Sequence, residues 1–262
     1  MKGQITELLT NYGEIGCIWF DGHWDQKNNP DFNWHYDEIY SLIHSLQPRC
    51  LVANNHHLDP IEGEDVQVFE RDVPGQNTAG YARGGVSTSL PLETCQTISK
   101  AWGYDLTDGE VKSPEYIIRY LVSCAGRNAN LLLNVGPRPD GTLPDKAVAN
   151  MKKVGEWLES HGESIYATRS TLLKPQKWGY VTENDNFIYL HILPNMLAET
   201  SFCNPSQGGS GELFVPLQGI KPRSVKVFDT GAGCKFKVTK AGINIVVGEV
   251  PQCPDWIVKI ER

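Results

Sequence analysis

Two acids stand where acids are expensive to hold. Asp21 closes the apolar segment Ile15-Gly16-Cys17-Ile18-Trp19-Phe20, and Glu70 closes Val66-Gln67-Val68-Phe69. A short apolar run bounded by glycine reads as a buried strand. Taking a carboxylate out of water costs several kcal/mol unless a partner offsets it, so an acid at a strand tip is either paired or sits at the mouth of a site. In α/β barrels the C-terminal end of the strand is where chemistry happens. Asp21-Gly22 is also a turn signal, so a simple turn cap is the alternative reading for that acid. Two carboxyl groups at the tips of neighbouring parallel strands could flank one glycosidic bond, which retaining hydrolysis attacks with groups about 5 Å apart.

Two further groups invite chemistry. Asn54-Asn55-His56-His57, with Asp59, Glu64 and Asp65, has the residue types of a metal site. Adjacent histidines on an extended strand point to opposite faces, however, and no HxH or HExxH spacing occurs, so neither a metal nor another cofactor is expected. Trp19, Phe20, Trp24, Trp34 and Trp102 gather on the side of the strand ends. Aromatic faces stack on the C–H faces of sugars, although each ring alone reads equally as packing.

The elements that must position these groups alternate. A helix over residues 1–12 feeds the strand 15–21, and a polar loop runs from His23 to Asn33. A helix over 35–46, with Ile39, Leu42, Ile43 and Leu46 at helical spacing, leads past Pro48 into a strand over 49–55. Val66 to Phe69 is the next short strand, and a glycine-rich loop fills 74–89. Ser113-Pro114-Glu115 combines an N-cap, a first-turn proline and an early acid, and so starts a helix. Residues 130–135 form a last apolar strand before a long helix over 144–161. Helix alternating with apolar strand is the mark of parallel β/α units. Beyond Tyr166 the pattern becomes seven short alternating runs separated by turn residues, as in an all-β sandwich. The boundary is expected near residue 168, giving an α/β domain over 1–168 and an all-β domain over 169–262.

Composition narrows the function classes. The chain has 262 residues, 40% hydrophobic and 21% charged, which is ordinary globular usage. A net charge of −7 argues against nucleic acid and anionic membranes as partners. No apolar run is long enough for a membrane span, and the first residues read as helix without the apolar core of a signal peptide. The cysteines at 17, 50, 95, 124, 203, 234 and 253 form no CxxC pair and leave the compartment undecided.

These segments together resemble a known family. Trp19-Phe20-Asp21-Gly22, Phe69-Glu70-Arg71-Asp72-Val73-Pro74-Gly75, and Leu92-Glu93-Thr94-Cys95-Gln96-Thr97 running on to Ala101-Trp102-Gly103-Tyr104 are similar to the α-L-fucosidases of glycoside hydrolase family twenty-nine. Asn130 to Pro137 with Asp140-Gly141, and Gly162 to Tyr166, complete a match that covers residues 13–168 in order. The resemblance implies a retaining exo-glycosidase that removes terminal α-L-fucose from oligosaccharides or glycoconjugates, without a cofactor. It implies Asp21 as nucleophile and Glu70 as acid/base, with Glu93 and Glu64 as competitors because the acid/base position varies within the family. It further implies that Trp19 and His56 line the fucose pocket, where many relatives carry Arg at the His56 position, and that Trp102 packs near the sugar's methyl group. His57 is left as structural. Neighbouring like charge and burial are expected to keep Glu70 protonated beside an ionised Asp21.

Family members carry most of a barrel before the Trp-x-Asp strand. The resemblance therefore implies an incomplete TIM-like (β/α)8 barrel, its C-terminal part only, followed by a β-sandwich. A chain of that kind is expected to be inactive alone and to need a missing N-terminal half as partner. The family also implies a secreted, periplasmic or lysosomal parent. A non-catalytic carbohydrate-binding or interaction module is the alternative from another class, and it would not need Asp21 and Glu70 together; a glycosidase acting on a different 6-deoxy or related sugar is the second alternative.

Overall fold

The computed structural model describes the chain apart from Pro30, Asp108, Leu172 and residues 195–210, so Cys203 lies outside the described residues. Contacts divide it into two compact units: Met1–Gln96 with Ala129–Leu133, and Thr97–Asn128 with Asn134–Arg262.

A five-stranded sheet in the order β1 (Cys17–Phe20), β2 (Leu51–Asn54), β3 (Val66–Glu70), β4 (Leu92–Thr97), β5 (Ala129–Asn134) organises the first unit. The pairings from β1 through β4 are parallel, so the strand tips carrying Asp21 and Glu70 point the same way. Helices α1 (Lys2–Asn11) and α2 (Tyr36–Leu46) cover one face. Their Ile5, Leu9, Ile39, Tyr40 and Ile43 form a core with Cys50 and Val52, against which Ile18 and Phe20 pack. Strand alternation sends Cys17, Trp19 and Asp21 to the opposite face, together with Ala53 and Asn55, Val68 and Glu70, and Glu93 and Cys95. The segment over 15–21 is therefore not the fully buried strand its apolar run suggests. Ile18 and Phe20, which face the helices, are only partly buried, Trp19 on the other face is half-buried, and Cys17 is exposed. An apolar run cannot distinguish a strand buried on both faces from one whose second face carries aromatic and small side chains.

In the second unit, α3 (Pro114–Ala125) begins as its sequence dictates: Pro114 sits in the first turn, and the Ser113 hydroxyl accepts from the Tyr116 N–H at 3.2 Å. Helix α4 spans Asp145–His161. Strands β6 (Arg169–Ser170), β7 (Gly179–Glu183), β8 (Phe187–Ile192), β9 (Glu212–Val215), β10 (Ser224–Val227), β11 (Lys235–Val238), β12 (Ile243–Val246) and β13 (Trp256–Glu261) follow. They build two antiparallel sheets, β10-β13-β8-β7-β6 and β11-β12-β9. Leu190 and Val258 from the first sheet and Leu213 and Ile245 from the second share one apolar core. The architecture is thus a curled parallel sheet of barrel type and an all-β part.

A buried polar chain joins α4's end to this core. The Thr182 hydroxyl donates to the Ser164 carbonyl at 2.6 Å, which uses its only proton. His191 Nε2, 2.9 Å away, must then donate to Thr182, and His191 Nδ1 shares a proton with the Asp255 carboxylate at 2.7 Å. Both side chains of the pair are fully buried.

Candidate active site

Asp21 and Glu70 meet through a third residue. The Asn55 side-chain amide, just past the tip of β2, donates from Nδ2 to Asp21 Oδ1 at 3.2 Å and to Glu70 Oε2 at 2.9 Å. Both neighbours are pure acceptors when ionised, so the amide must present nitrogen and not oxygen to them. Two bonds from one nitrogen hold the carboxylate oxygens within about 6 Å of each other, compatible with the roughly 5 to 5.5 Å of a nucleophile and acid/base pair. Strand order explains the arrangement: β2 lies between β1 and β3, so a side chain at its tip is placed between their acids. Asn55 is buried, and its Oδ1 has no hydrogen-bond partner.

A second donor reaches Glu70. His57 Nε2 lies 3.1 Å from Oε2, the same oxygen that Asn55 holds. Its ring lies between Trp24, centroid 5.6 Å away and 6° from parallel, and Tyr81 at 5.4 Å and 19°. The loop carrying Tyr81 is pinned. Asp72 accepts from the Thr78 hydroxyl and from the Ala79 N–H, Asp59 accepts from the Gly85 N–H at 2.8 Å, and Gln67 grips Gly85 and Ser87. Gly84 is required there, since a Cβ would come within 2.4 Å of the Asp59 nitrogen.

These donors decide the charge state of Glu70. The His57 hydrogen bond, with help from Asn55 and the Arg71 charge, outweighs burial and holds the carboxyl below its ordinary range. The expectation that like charge and burial keep Glu70 protonated is therefore corrected for the free site: two N–H groups favour the anion. Cys95 shows the opposite effect. Burial, followed by the charges of Glu70, Glu93 and Asp21, pushes its thiol up to about 12, so it is a neutral bystander among the acids.

The other expected residues take distinct places. The Trp19 indole N–H donates to Glu93 Oε1 at 3.0 Å, and Asn130 holds Glu93 Oε2 at 3.1 Å. The Trp19 N–H and both Glu93 carboxylate oxygens are therefore engaged. Glu64 is buried deeper, accepting from the Tyr40 hydroxyl at 3.0 Å and from the Ile61 N–H at 3.2 Å. His56 sits against Glu64 with Nε2 at 2.8 Å, while its Nδ1 accepts the Leu58 N–H at 2.9 Å. Both ring nitrogens of His56 are thus hydrogen-bonded, and 4% of the residue is exposed. One residue later, His57 is the histidine whose ring reaches Glu70. Trp102 belongs to the second unit, where its carbonyl accepts from Asn134 Nδ2 at 2.8 Å. Among the described residues no group of three or more His, Cys, Asp or Glu is arranged to hold a metal, and no helix is long and apolar enough to cross a membrane.

Sequence reasoning missed Asn55 and His57. The signal for Asn55 was present in the strand order, because consecutive β/α units place the second tip between the first and third.

Comparison with known proteins points to one family. The profile described as Alpha-L-fucosidase matches residues 1–163. The chain is 25% identical over 272 residues to the tissue alpha-L-fucosidase of Mus musculus, covering 98% of this chain and 54% of that protein. Alpha-L-fucosidase isoenzyme 1 from Paenibacillus thiaminolyticus superposes with a TM-score of 0.73 at 28% identity, covering 100% of this chain and 61% of that one. A GH29 alpha-L-fucosidase from Bacteroides thetaiotaomicron, solved as a trapped covalent intermediate with 2-fluoro-fucosyl fluoride, shares the fold with a TM-score of 0.72 at 21% identity, covering 98% of this chain and 59% of that one. The chain spans about half the length of the curated relatives it matches. With the profile matching well over half of its residues, on the segments that carry Asp21 and Glu70, the chain belongs to the alpha-L-fucosidase family.

Proposed function

We propose that this chain carries the reacting carboxylates of a retaining α-L-fucosidase. The observation that carries the reading is the Asn55 amide shared by Asp21 and Glu70. Asp21, exposed and ionised, attacks the anomeric carbon. Glu70 gives a proton to the departing oxygen, then takes one from the water that cleaves the fucosyl-enzyme. Oε2 is anchored by Asn55 and His57, so Oε1 is the atom that gives and takes the proton. Because those donors favour the anion in the free site, Glu70 reaches its acid form only at acidic pH or once substrate excludes water, and the pH optimum falls on the acidic side of neutrality. The Trp19 ring lines the sugar, and His57 replaces His56 as the histidine beside the reacting centre. The trapped fucosyl intermediate of the Bacteroides relative supports double displacement as the mode.

The domain division at residue 168, with a β-sandwich after it, belongs to the same reading. It is supported by the shared core of the two antiparallel sheets. Leu51 and Leu132 are exposed on the sheet's helix-free side, and we infer that turnover needs that side covered by further strands, so the chain alone is inactive.

The test compares Glu70→Ala with wild type on two fucosides, one with an activated aryl leaving group and one with a poor alcohol leaving group. The chain is assayed alone and extended by a related N-terminal half. Loss confined to the poor leaving group supports the acid role. Equal losses on both would refute it.

A further inference from the structure

Glu70 has two requirements that pull against each other: it must be protonated to expel the leaving group and ionised to activate water. Every group around it in the first unit bears on that choice. Asn55 and His57 donate to Oε2, and Arg71 adds positive charge. Asp21 faces it across Asn55, and Cys95 and Glu93 lie on the same side of the sheet. His23 is within electrostatic reach of His56, Arg83 and His57, and the His57 carbonyl accepts the Arg83 N–H at 2.8 Å.

His57 is the member of this set whose placement is most over-determined. Its backbone sits at φ 66, in the left-handed region that a branched or bulky side chain rarely adopts, and Arg71, just after Glu70, is at φ 58. Its ring is fixed from both sides by Trp24 and Tyr81, which remain exposed on their outer faces. A histidine held only for packing would not need one nitrogen aimed at the oxygen that Asn55 also holds.

We propose that His57 is a positioning residue for Glu70: with Asn55 it locks Oε2, leaves Oε1 as the working oxygen, and biases the carboxyl toward its base form for the second half of the reaction. The proposal rests on Glu70 being the acid/base of the retaining mechanism. The proton moves between Oε1 and the leaving-group or water oxygen, and His57 keeps its own proton on Nε2 throughout. The bias has a physical source in the N–H donor, which stabilises the anion and offers nothing to a protonated Oε2. It favours deglycosylation and opposes glycosylation at higher pH, so the stacked ring divides the work of one carboxyl between two steps.

Two substitutions separate the donor from the stack. His57→Phe keeps an aromatic ring between Trp24 and Tyr81 but has no N–H. His57→Gln keeps a donor but loses the stack. The first readout is the titration of the Glu70 carboxyl, followed by carbon-13 NMR on the full chain with selectively labelled glutamate, which needs no turnover. The midpoint is expected to rise in His57→Phe and to stay nearer wild type in His57→Gln. The second readout is the pH profile on an aryl α-L-fucoside in the extended form that turns over. The basic limb of kcat/KM is expected to move to higher pH in His57→Phe, while kcat falls on the order of tenfold to a hundredfold as the carboxyl loses its fixed position. An unchanged Glu70 midpoint in His57→Phe, or a uniform loss with the basic limb unmoved, would overturn the proposal. His57→Ala, which also removes the N–H donor, serves where His57→Phe does not fold, with the same expected rise and the same overturning result. Should no form hydrolyse a fucoside, the reading under Proposed function falls, and the carboxyl titration alone still decides whether His57 sets the state of Glu70.

Discussion

Replacing Asn55 with Leu should separate activity from stability. The substitution keeps side-chain size but removes the amide that joins Asp21 and Glu70. On stability three terms nearly cancel. Two hydrogen bonds to carboxylates are lost, each worth about 1.5 to 3 kcal/mol at full strength, but the 3.2 Å bond to exposed Asp21 is long and water replaces it. Glu70 keeps His57 as donor on the same oxygen. Against these losses, Asn55 Oδ1 is a buried acceptor with no partner, and removing such an atom recovers about 1 to 3 kcal/mol. The net change in unfolding free energy should stay within about 1 kcal/mol, read from urea midpoints at constant m-value. Activity has no such compensation. Two like charges about 6 Å apart repel by roughly 3 kcal/mol at an effective dielectric constant near 20, and without the spacer they move apart. A misplacement of about 1 Å can cost a hundredfold, so kcat/KM on an aryl α-L-fucoside in the extended form should drop on the order of a hundredfold. Turnover within about threefold of wild type would refute the bridging role. A stability loss well above 2 kcal/mol would make Asn55 a structural residue instead.

The Glu70 carboxyl is held below its ordinary range in the folded state, so its contribution to stability is complete above the unfolded value of about 4.3 and is lost as pH falls through the folded value. Urea midpoints measured from pH 5 downward should therefore fall less steeply in Glu70→Gln than in wild type, and parallel curves would contradict the assignment. Asp255→Ala strands the fully buried His191 with a proton and no acceptor, which should cost about 3 to 5 kcal/mol, whereas His191→Phe combined with Asp255→Leu should lose less than the two single changes together. Additive losses in that cycle would deny the coupling. Gly179 sits at φ 150 with the His191 carbonyl 1.8 Å from where a Cβ would be, so Gly179→Ala should abolish soluble expression or lower the melting temperature by many degrees, and a melting curve matching wild type would refute the close approach.

Much of the fold was legible because its signals are local. Ser113-Pro114-Glu115 starts α3 where those residue types dictate, and the alternating pattern after Tyr166 became strands of antiparallel sheets. Period and turn chemistry need only neighbours in sequence. The acids were also legible, since a charged residue closing an apolar run is conspicuous by itself. What escaped was the set of relations that cross the chain. Asn55 carries no charge and is remarkable only once β2 is known to lie between β1 and β3. His56 and His57 are the same residue type side by side, and the positive φ at His57 decides which ring turns to Glu64 and which to Glu70. The state of Glu70 was misjudged because burial was visible in the apolar strand whereas the two donors were not. Tyr81 reaches the His57 ring only through a loop pinned by Asp59, Gln67 and Asp72, a closure that no short-range pattern encodes.

The most direct test of the central claim is a covalent trap. The extended protein is incubated with 2-fluoro-fucosyl fluoride, digested, and the modified peptide sequenced by mass spectrometry. A single adduct of one fluorofucosyl group on Asp21, absent from Asp21→Ala and accumulating further in Glu70→Gln, is the expected result. An adduct on Glu70, Glu93 or any residue other than Asp21 would contradict the assignment of the nucleophile.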